Sequence, residues 1–195
     1  MRTAAPPLLP IFRSKLQGEL LAALLLNPER EESLTELAAR LGADVATVQR
    51  EVSRLERAGI LKTRRVGATR LASADARSPI SAPLTEITLK TFGPGAVLAA
   101  AFSTVGGIDE IYIFGSWAAR YLGVKGPQPQ DLDVLVVGSP ERAEVYAAAL
   151  RVEHRLGLPV NPTIRSSNAW RVARDGFVTQ LRSAPLVRVA HGEAS

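Results

Sequence analysis

The fold of this chain is decided by residues 33–72, which read SLTELAARLGADVATVQREVSRLERAGILKTRRVGATRLA. Ser33 and Glu36 form the S-x-x-E pattern of a capping box, in which each side chain caps a backbone N–H at the start of a helix. The pattern predicts a helix over Leu34–Leu41, and Gly42 predicts its end, because glycine commonly terminates helices.

A second helix in the same stretch is predicted over residues 45–58, with Asp44 as its N-cap and Gly59 as its terminator. Apolar residues recur along it at spacings of three and four, which predicts one buried stripe that packs on neighbouring helices. These residues are Val45, Val48, Val52 and Leu55.

A β-hairpin is predicted to follow, with strands over Ile60–Arg65 and Thr69–Ala72 joined by a turn at Gly67. A further helix is predicted upstream, over Leu16–Leu26. Three helices followed by a hairpin predict a winged helix-turn-helix domain over residues 14–76.

This region is strongly basic. Between Arg50 and Arg77 the sequence holds 8 basic and 3 acidic residues, and the whole chain has a formal charge of +5. Such a local excess indicates a polyanionic partner at one surface. The alternative is a merely solvated helix face, with Glu51 and Glu56 diluting the positive field. That alternative does not explain the basic hairpin, so the sequence favours double-stranded DNA as a partner.

The candidate DNA-contacting residues come from the second of these helices and from the hairpin. The N-terminal residues of a recognition helix meet base edges, where Gln suits adenine and Arg suits guanine. Arginines farther along the helix and on the hairpin suit phosphate or minor-groove contacts. The predicted DNA-binding residues are Thr47, Gln49, Arg50, Arg54, Arg64, Arg65 and Arg70.

A different pattern occupies residues 114–138, FGSWAARYLGVKGPQPQDLDVLVVG. Strands are predicted over Ile111–Phe114 and Leu132–Val137, and the sharp Gly115-Ser116 turn leads into a short helix. Backbone N–H groups and the Ser116 hydroxyl at such a helix start favour phosphate. The pattern therefore predicts a phosphate-binding turn beside the second strand.

Asp131 and Asp133 stand two positions apart on that strand, so their side chains face the same side. Two converging carboxylates suit Mg²⁺, which prefers oxygen ligands and phosphate oxygens. The alternative is that they are turn residues at a strand start, which fits Asp131 but not Asp133, since Asp133 lies between Leu132 and Val134. The sequence thus predicts a magnesium and nucleoside triphosphate site.

The segment Leu34–Asp75 resembles the ArsR-type winged-helix regulators in its helix-turn-helix, its LERAGIL exit and its wing. The resemblance implies a transcriptional regulator that binds a two-fold operator as a symmetric homodimer. The first helix or the segment Leu84–Thr104 would form the dimer contact. No metal site is carried over, because the chain has no cysteine to supply the thiol ligands of the metal sensors.

The motifs FGSWAAR (Phe114–Arg120) and DLDVLVV (Asp131–Val137) resemble the GS-x-A-x-R turn and D-x-D strand of the DNA polymerase β-type nucleotidyltransferases, in particular the minimal domains. By this resemblance the nucleotide-binding residues are Gly115, Ser116 and Arg120, and the catalytic and metal-binding residues are Asp131 and Asp133. The family's third carboxylate falls where this chain has Asn161 or Thr163, neither of which is a base. Glu153 is a possible substitute for this third carboxylate. The alternative is that Glu153 is a solvated residue on a helix surface. Both an active and an inactive nucleotidyltransferase therefore remain as alternatives.

The sequence therefore predicts an α+β chain with a winged helix-turn-helix domain (14–76), a linker (73–83) and a nucleotidyltransferase-like domain with a mixed sheet (84–190). The expected function is DNA-binding transcriptional regulation with binding of a Mg-nucleotide. The alternatives are a nucleotidyltransferase acting on a protein, an RNA or a small molecule, and a component of a toxin–antitoxin pair. The apolar run Leu20–Leu26 is too short to span a bilayer and lacks a following signal-peptide cleavage site, so a cytoplasmic location is expected.

Overall fold

The computed structural model describes residues 12–173 and 176–190, and the chain has a mixed α+β fold. It divides into two compact units, Met1–Gly93 and Pro94–Ser195. None of the helices in the described residues has the length and apolar character needed to cross a membrane.

The first unit contains four helices and a small antiparallel sheet with strand order β1-β3-β2. Its elements are α1 (Lys15–Leu25), β1 (Glu32–Ser33), α2 (Leu34–Leu41), α3 (Val45–Arg57), β2 (Leu61–Val66), β3 (Thr69–Ala74) and α4 (Ser81–Phe92). Three helices followed by a hairpin confirm the predicted arrangement of a winged helix-turn-helix. The two-residue strand β1 is an addition to the prediction.

The predicted caps set the ends of α2 and α3. The Ser33 hydroxyl accepts a hydrogen bond from the Glu36 N–H at 3.2 Å, and the Glu36 carboxylate accepts one from the Ser33 N–H at 3.0 Å. Gly42 ends α2 with a φ of 64°, in the left-handed region that favours glycine. Asp44 then caps α3 by accepting a hydrogen bond from the Thr47 N–H at 2.8 Å.

The core of this unit joins α1, α2, α3 and the hairpin. Its almost fully buried members include Leu20, Leu24, Leu37, Val48, Val52 and Leu61. The prediction that Val45 belongs to the buried stripe of α3 is wrong, because its side chain is 43% exposed. Val45 is the first residue of α3 and lies almost one turn before the first buried valine, at the edge of the core.

Helix α4 packs against α1 within the first unit. A Cβ atom at Gly18 would lie 2.2 Å from the Phe92 Cζ, so the ring occupies the space that a side chain would need. The Phe92 ring also meets Phe12 edge-on, with 5.2 Å between ring centroids. The sequence prediction placed this helix in the second domain, but the structure makes it part of the first unit.

The second unit is built on a mixed four-stranded sheet with strand order β6-β5-β4-β7, in which β5 and β6 are parallel and the other pairs antiparallel. Its elements are α5 (Pro94–Phe102), β4 (Ile108–Phe114), α6 (Gly115–Tyr121), β5 (Leu132–Gly138), α7 (Arg142–Leu156), β6 (Val160–Arg165), α8 (Ser167–Val172), α9 (Gly176–Ser183) and β7 (Val187–Val189). The mixed sheet agrees with the prediction. The sequence pattern predicts neither α9 nor β7.

One face of this sheet is covered by α8 and α9. Trp170 and Val178 form a buried cluster with Leu135 and Val137 of β5. Alternate residues of a strand face the same side, so Asp133 shares this face at the start of β5.

Candidate nucleic-acid interface and candidate nucleotide site

The outer side of α3 forms a shallow concave surface, which we call the α3 surface. The residues that line it are Ala46, Gln49, Arg50, Ser53, Arg54, Glu56 and Arg57. Gln49, Arg50 and Arg57 are exposed, whereas Arg54 is partly buried. Of the predicted base-contacting residues, Gln49 and Arg50 therefore lie at an accessible surface, whereas Thr47 is partly buried.

Arg50 is positioned by the N-terminal cap of α3. Its Nη2 donates to the Thr47 hydroxyl at 2.7 Å, and that hydroxyl donates to the Asp44 carboxylate at 2.5 Å. The hydrogen bonds from Thr47 lower the pKa of Asp44. These two hydrogen bonds direct the Arg50 side chain toward the start of α3, where recognition helices approach base edges.

Arg54 has a partner within the unit. Its Nη1 donates to the Glu51 carboxylate at 2.5 Å, and the same carboxylate accepts from the Gln17 Nε2 at 2.8 Å. Glu51 as a whole residue is only 8% exposed, and its hydrogen bond with Gln17 ties α3 to α1. Arg54 is thus already committed to an intramolecular contact.

Arg70 joins the hairpin to α3. Its guanidinium donates to Glu56 at 2.7 Å, to the Ser53 hydroxyl at 2.9 Å and to the Thr63 hydroxyl at 3.3 Å. Thr63 in turn donates to Glu56. Because the Arg70 side chain is only 20% exposed, this cluster fixes the hairpin on α3.

Arg64, on β2, forms an exposed ion pair with Glu31. Its Nε donates to the two oxygens of the Glu31 carboxylate at 2.9 and 2.8 Å, and its Nη2 donates to one of them as well. The hydrogen bond from Arg64 is the main cause that lowers the pKa of Glu31.

Two exposed arginines, Arg57 on α3 and Arg65 on β2, form no ion pair or side-chain hydrogen bond with the described part of the chain. Sequence reasoning placed Arg64, Arg65 and Arg70 together as wing residues, but only Arg65 is unpaired in the structure. It missed Glu31 entirely, because no local periodicity encodes a pair that is 33 residues apart.

In the second unit the structure brings Asp131, Asp133 and Asn161 together. The Asn161 Nδ2 donates to the Asp131 Oδ2 at 2.9 Å and to the Asp133 Oδ1 at 3.3 Å. Asn161 lies directly opposite Asp133 in the parallel β5–β6 register. The two carboxylates thus face the same side, as the sequence predicts, and Asn161 rather than Thr163 lies beside them.

Gly115 lies against the Asp133 carboxylate. A Cβ atom at position 115 would lie 2.7 Å from the Asp133 Oδ2, and the φ of Gly115 is +69°. The positive φ favours glycine, and any other side chain would also have to displace the Asp133 carboxylate. Phe114, which precedes it, is paired with Asp133 across the sheet.

The environment of Asp133 disfavours its ionised form. Burial is the largest cause that raises its pKa and the charge of Asp131 adds to it, while the hydrogen bond from Asn161 acts in the opposite direction. A carboxyl group in this state gains from a bound cation. Both carboxylates accept hydrogen bonds from the same Asn161 amide, and carboxylate oxygens are the type of ligand that Mg²⁺ prefers.

The remaining predicted residues lie near this pair or along α6. Ser116 is exposed next to Gly115, and Arg120 lies in the last turn of α6. Glu153, the possible third carboxylate, accepts a hydrogen bond from the Val160 N–H at 3.3 Å and so holds the start of β6. Within the described residues no group of three or more His, Cys, Asp or Glu side chains could hold a metal ion. Trp117 of α6 is 1% exposed and belongs to the core.

A family model described as HVO_A0114 matches residues 14–73, and no curated protein matches. Two solved structures share limited similarity with the chain. A mutant MarR from E. coli complexed with operator DNA is 17% identical over 43% of this chain and 59% of its own, with a TM-score of 0.34. Pseudomonas aeruginosa HmgR is 21% identical over 52% of this chain and 43% of its own, with a TM-score of 0.29. The chain thus spans less than two thirds of either structure, and at these TM-scores neither likeness carries an argument about function.

Proposed function

We propose that the protein is a DNA-binding transcriptional regulator. The observation that carries this proposal is the α3 surface, where Gln49 and Arg50 are exposed toward the start of the helix and Arg57 lies unpaired at its end. Arg65 adds a second unpaired cation on the hairpin. A basic helix face beside a basic wing is the electrostatic pattern of a protein that reads one groove and contacts the adjacent backbone.

The contacts of each side chain suggest which residues would contact DNA and which would hold the structure. Thr47, Gln49 and Arg50 would meet base edges, and Arg57 and Arg65 would meet phosphates. Arg54 and Arg70 are engaged within the unit: Arg54 would act by positioning Glu51 on α3, and Arg70 by holding the hairpin in place. By resemblance to the ArsR-type regulators, the protein would act in the cytoplasm as a homodimer on a two-fold site.

Duplex binding by variants of the full chain tests the proposal. Arg57→Ala and Arg65→Ala are each expected to weaken binding to all sequences and to reduce the slope of log affinity against log salt by about 0.9. Arg50→Ala is expected to cost about 1–3 kcal/mol and to relax sequence preference.

The matched control is Arg142→Ala, which removes an exposed arginine of the second unit. Fluorescence anisotropy over a series of salt concentrations measures all four variants. If Arg57→Ala and Arg65→Ala bind duplex DNA with the same affinity and salt slope as Arg142→Ala, the α3 surface is not the DNA interface.

We further propose that the second unit binds a Mg-nucleotide. The specific observation is that the Asp131 and Asp133 carboxylates share the Asn161 amide as a hydrogen-bond donor, with the Asp133 carboxylate lying against Gly115. Asp131 and Asp133 would hold the ion, which would neutralise phosphate oxygens when bound. Gly115, Ser116 and Arg120 would contact the nucleotide.

The neutral Asn161 cannot take a proton from an acceptor hydroxyl, so the arrangement favours nucleotide binding over nucleotidyl transfer. Calorimetry with each nucleoside triphosphate, with and without Mg²⁺, tests this site. Binding that depends on Mg²⁺ and is lost in Asp131→Asn/Asp133→Asn is the expected result. The control Glu144→Gln removes an exposed carboxylate of α7, and equal weakening by the control would remove the support for this site.

A further inference from the structure

We propose that Glu31 competes with DNA phosphate for Arg64 and thereby limits the sequence-independent affinity of the wing for DNA. This inference rests on the proposed DNA binding, and it assigns a role to a residue outside the α3 surface. A carboxylate that meets a guanidinium through two parallel contacts has the geometry that a phosphate would adopt on the same arginine.

The small sheet builds this pair. Glu31 immediately precedes β1, and β1 pairs with β3, which pairs in turn with β2. Ser33 and Arg64 both lie opposite Leu71, on either side of β3. The Glu31 side chain therefore reaches Arg64 from across the middle strand, and the short strand β1 fixes its position.

The Glu31–Arg64 pair is the most accessible of the ion pairs on α3 and the hairpin. Its side chains are 31% and 56% exposed, whereas Glu51 in the Arg54 pair is 10% and Arg70 in the Glu56 pair is 20% exposed. Exposed ion pairs contribute little net stability. Loss of Glu31 would therefore release Arg64 for a phosphate at little cost in stability, which loss of the acidic partner would not do in the two more buried pairs.

The experiment compares the full-length protein with the Glu31→Gln variant on a labelled duplex of random sequence, over a series of salt concentrations. The glutamine keeps the size of the side chain but removes the charge that competes with phosphate. Glu31→Gln is expected to bind about threefold to tenfold more tightly at low salt, with a salt slope steeper by about 0.9, which corresponds to one additional phosphate contact.

Glu86→Gln is the matched control. Glu86 is an exposed carboxylate of the same unit that pairs with Lys90 on α4, so its loss gives the same change in net charge away from the wing. Arg64→Ala is then measured in the wild type and in Glu31→Gln. Direct competition predicts that Arg64→Ala reduces affinity much more in the Glu31→Gln background.

The outcomes separate the two proposals. Equal affinities and salt slopes for Glu31→Gln and Glu86→Gln, or weaker binding by Glu31→Gln, would overturn the role of Glu31 while the proposed DNA binding stands. Failure of both the wild type and Glu31→Gln to bind the duplex at low salt would overturn the DNA-binding function and this inference together.

Discussion

At the scale of single residues, the Asp131–Asp133 pair holds the Asp133 carboxylate where its ionised form is disfavoured. Asp133 is packed against Gly115, lies near a second carboxylate and has one amide as its hydrogen-bond donor. Two negative charges held close together in this way lower the stability of the folded protein unless a cation lies beside them. Such a cost is typical of functional sites, where stability is lost in exchange for a ligand.

Asp133→Asn is therefore expected to raise the melting temperature at neutral pH. The raised pKa of Asp133 means that the folded state binds its proton more tightly than the unfolded state. Its contribution to stability is full below the ordinary carboxyl pKa of about 4 and is lost as the pH rises through the raised value. The gain in melting temperature should shrink as the pH falls toward that range. A lower melting temperature at neutral pH, or a gain independent of pH, would contradict this account.

The sequence predicted part of this site. The spacing of Asp131 and Asp133 was enough to place them on one side, because it follows from the two-residue period of a strand. The approach of Gly115 to Asp133 could not be predicted. It depends on the register that pairs Phe114 with Asp133 across two strands, and no local pattern encodes that register.

At the scale of elements, the Arg70 cluster makes the hairpin and α3 one structure. Three side-chain hydrogen bonds from one guanidinium reach Glu56, Ser53 and Thr63. Removing a partly buried donor leaves its acceptors unsatisfied, which costs more than the bond itself contributed.

Arg70→Met is expected to lower the free energy of unfolding by about 1–3 kcal/mol, since it keeps the aliphatic part of the side chain but removes the hydrogen bonds. The control is Arg64→Met on the same hairpin, which removes an exposed ion pair and should cost less than about 1 kcal/mol. Urea denaturation of both variants measures the difference. Equal losses would show that Arg70 does not hold the hairpin.

Most elements could be predicted because their ends carry local signals. The capping box and Gly42 gave the bounds of α2, which the structure reproduces. Strand β1 was missed because two residues are too short for an alternating pattern. The segment from Phe177 to Val189 is ambiguous in the sequence, where Pro185 interrupts it, and the structure places α9 before this proline and β7 after it.

At the scale of the whole molecule, the boundary between the two units depends on α4. Serine and proline residues in the segment 73–83 predict a loop, but composition does not reveal which neighbour the following helix packs on. The absence of a side chain at Gly18 decides this, because the Phe92 ring fills that space on α1. The structure therefore divides the chain after Gly93.

A fragment of residues 1–93 is expected to fold by itself and to melt at a higher temperature than a fragment of residues 1–80. The shorter fragment loses Leu89 and Phe92, which are 6% and 5% exposed, and burial of two such side chains is worth about 3 kcal/mol or more. Thermal unfolding followed by circular dichroism tests this. Identical melting temperatures would mean that α4 adds nothing to the first unit.

The position of β7 has a consequence for biosynthesis. Among the described residues, β7 is the last strand in chain order, yet it pairs with β4, the first strand of the same sheet. Until β7 leaves the ribosome, β4 presents a row of unsatisfied backbone groups, and such edges promote aggregation. In the described part of the first unit, by contrast, the last strand ends at Ala74, so its sheet is complete long before β7 is made. Nascent chains that stall before β7 should therefore carry a folded first unit and a second unit that depends on chaperones for its solubility.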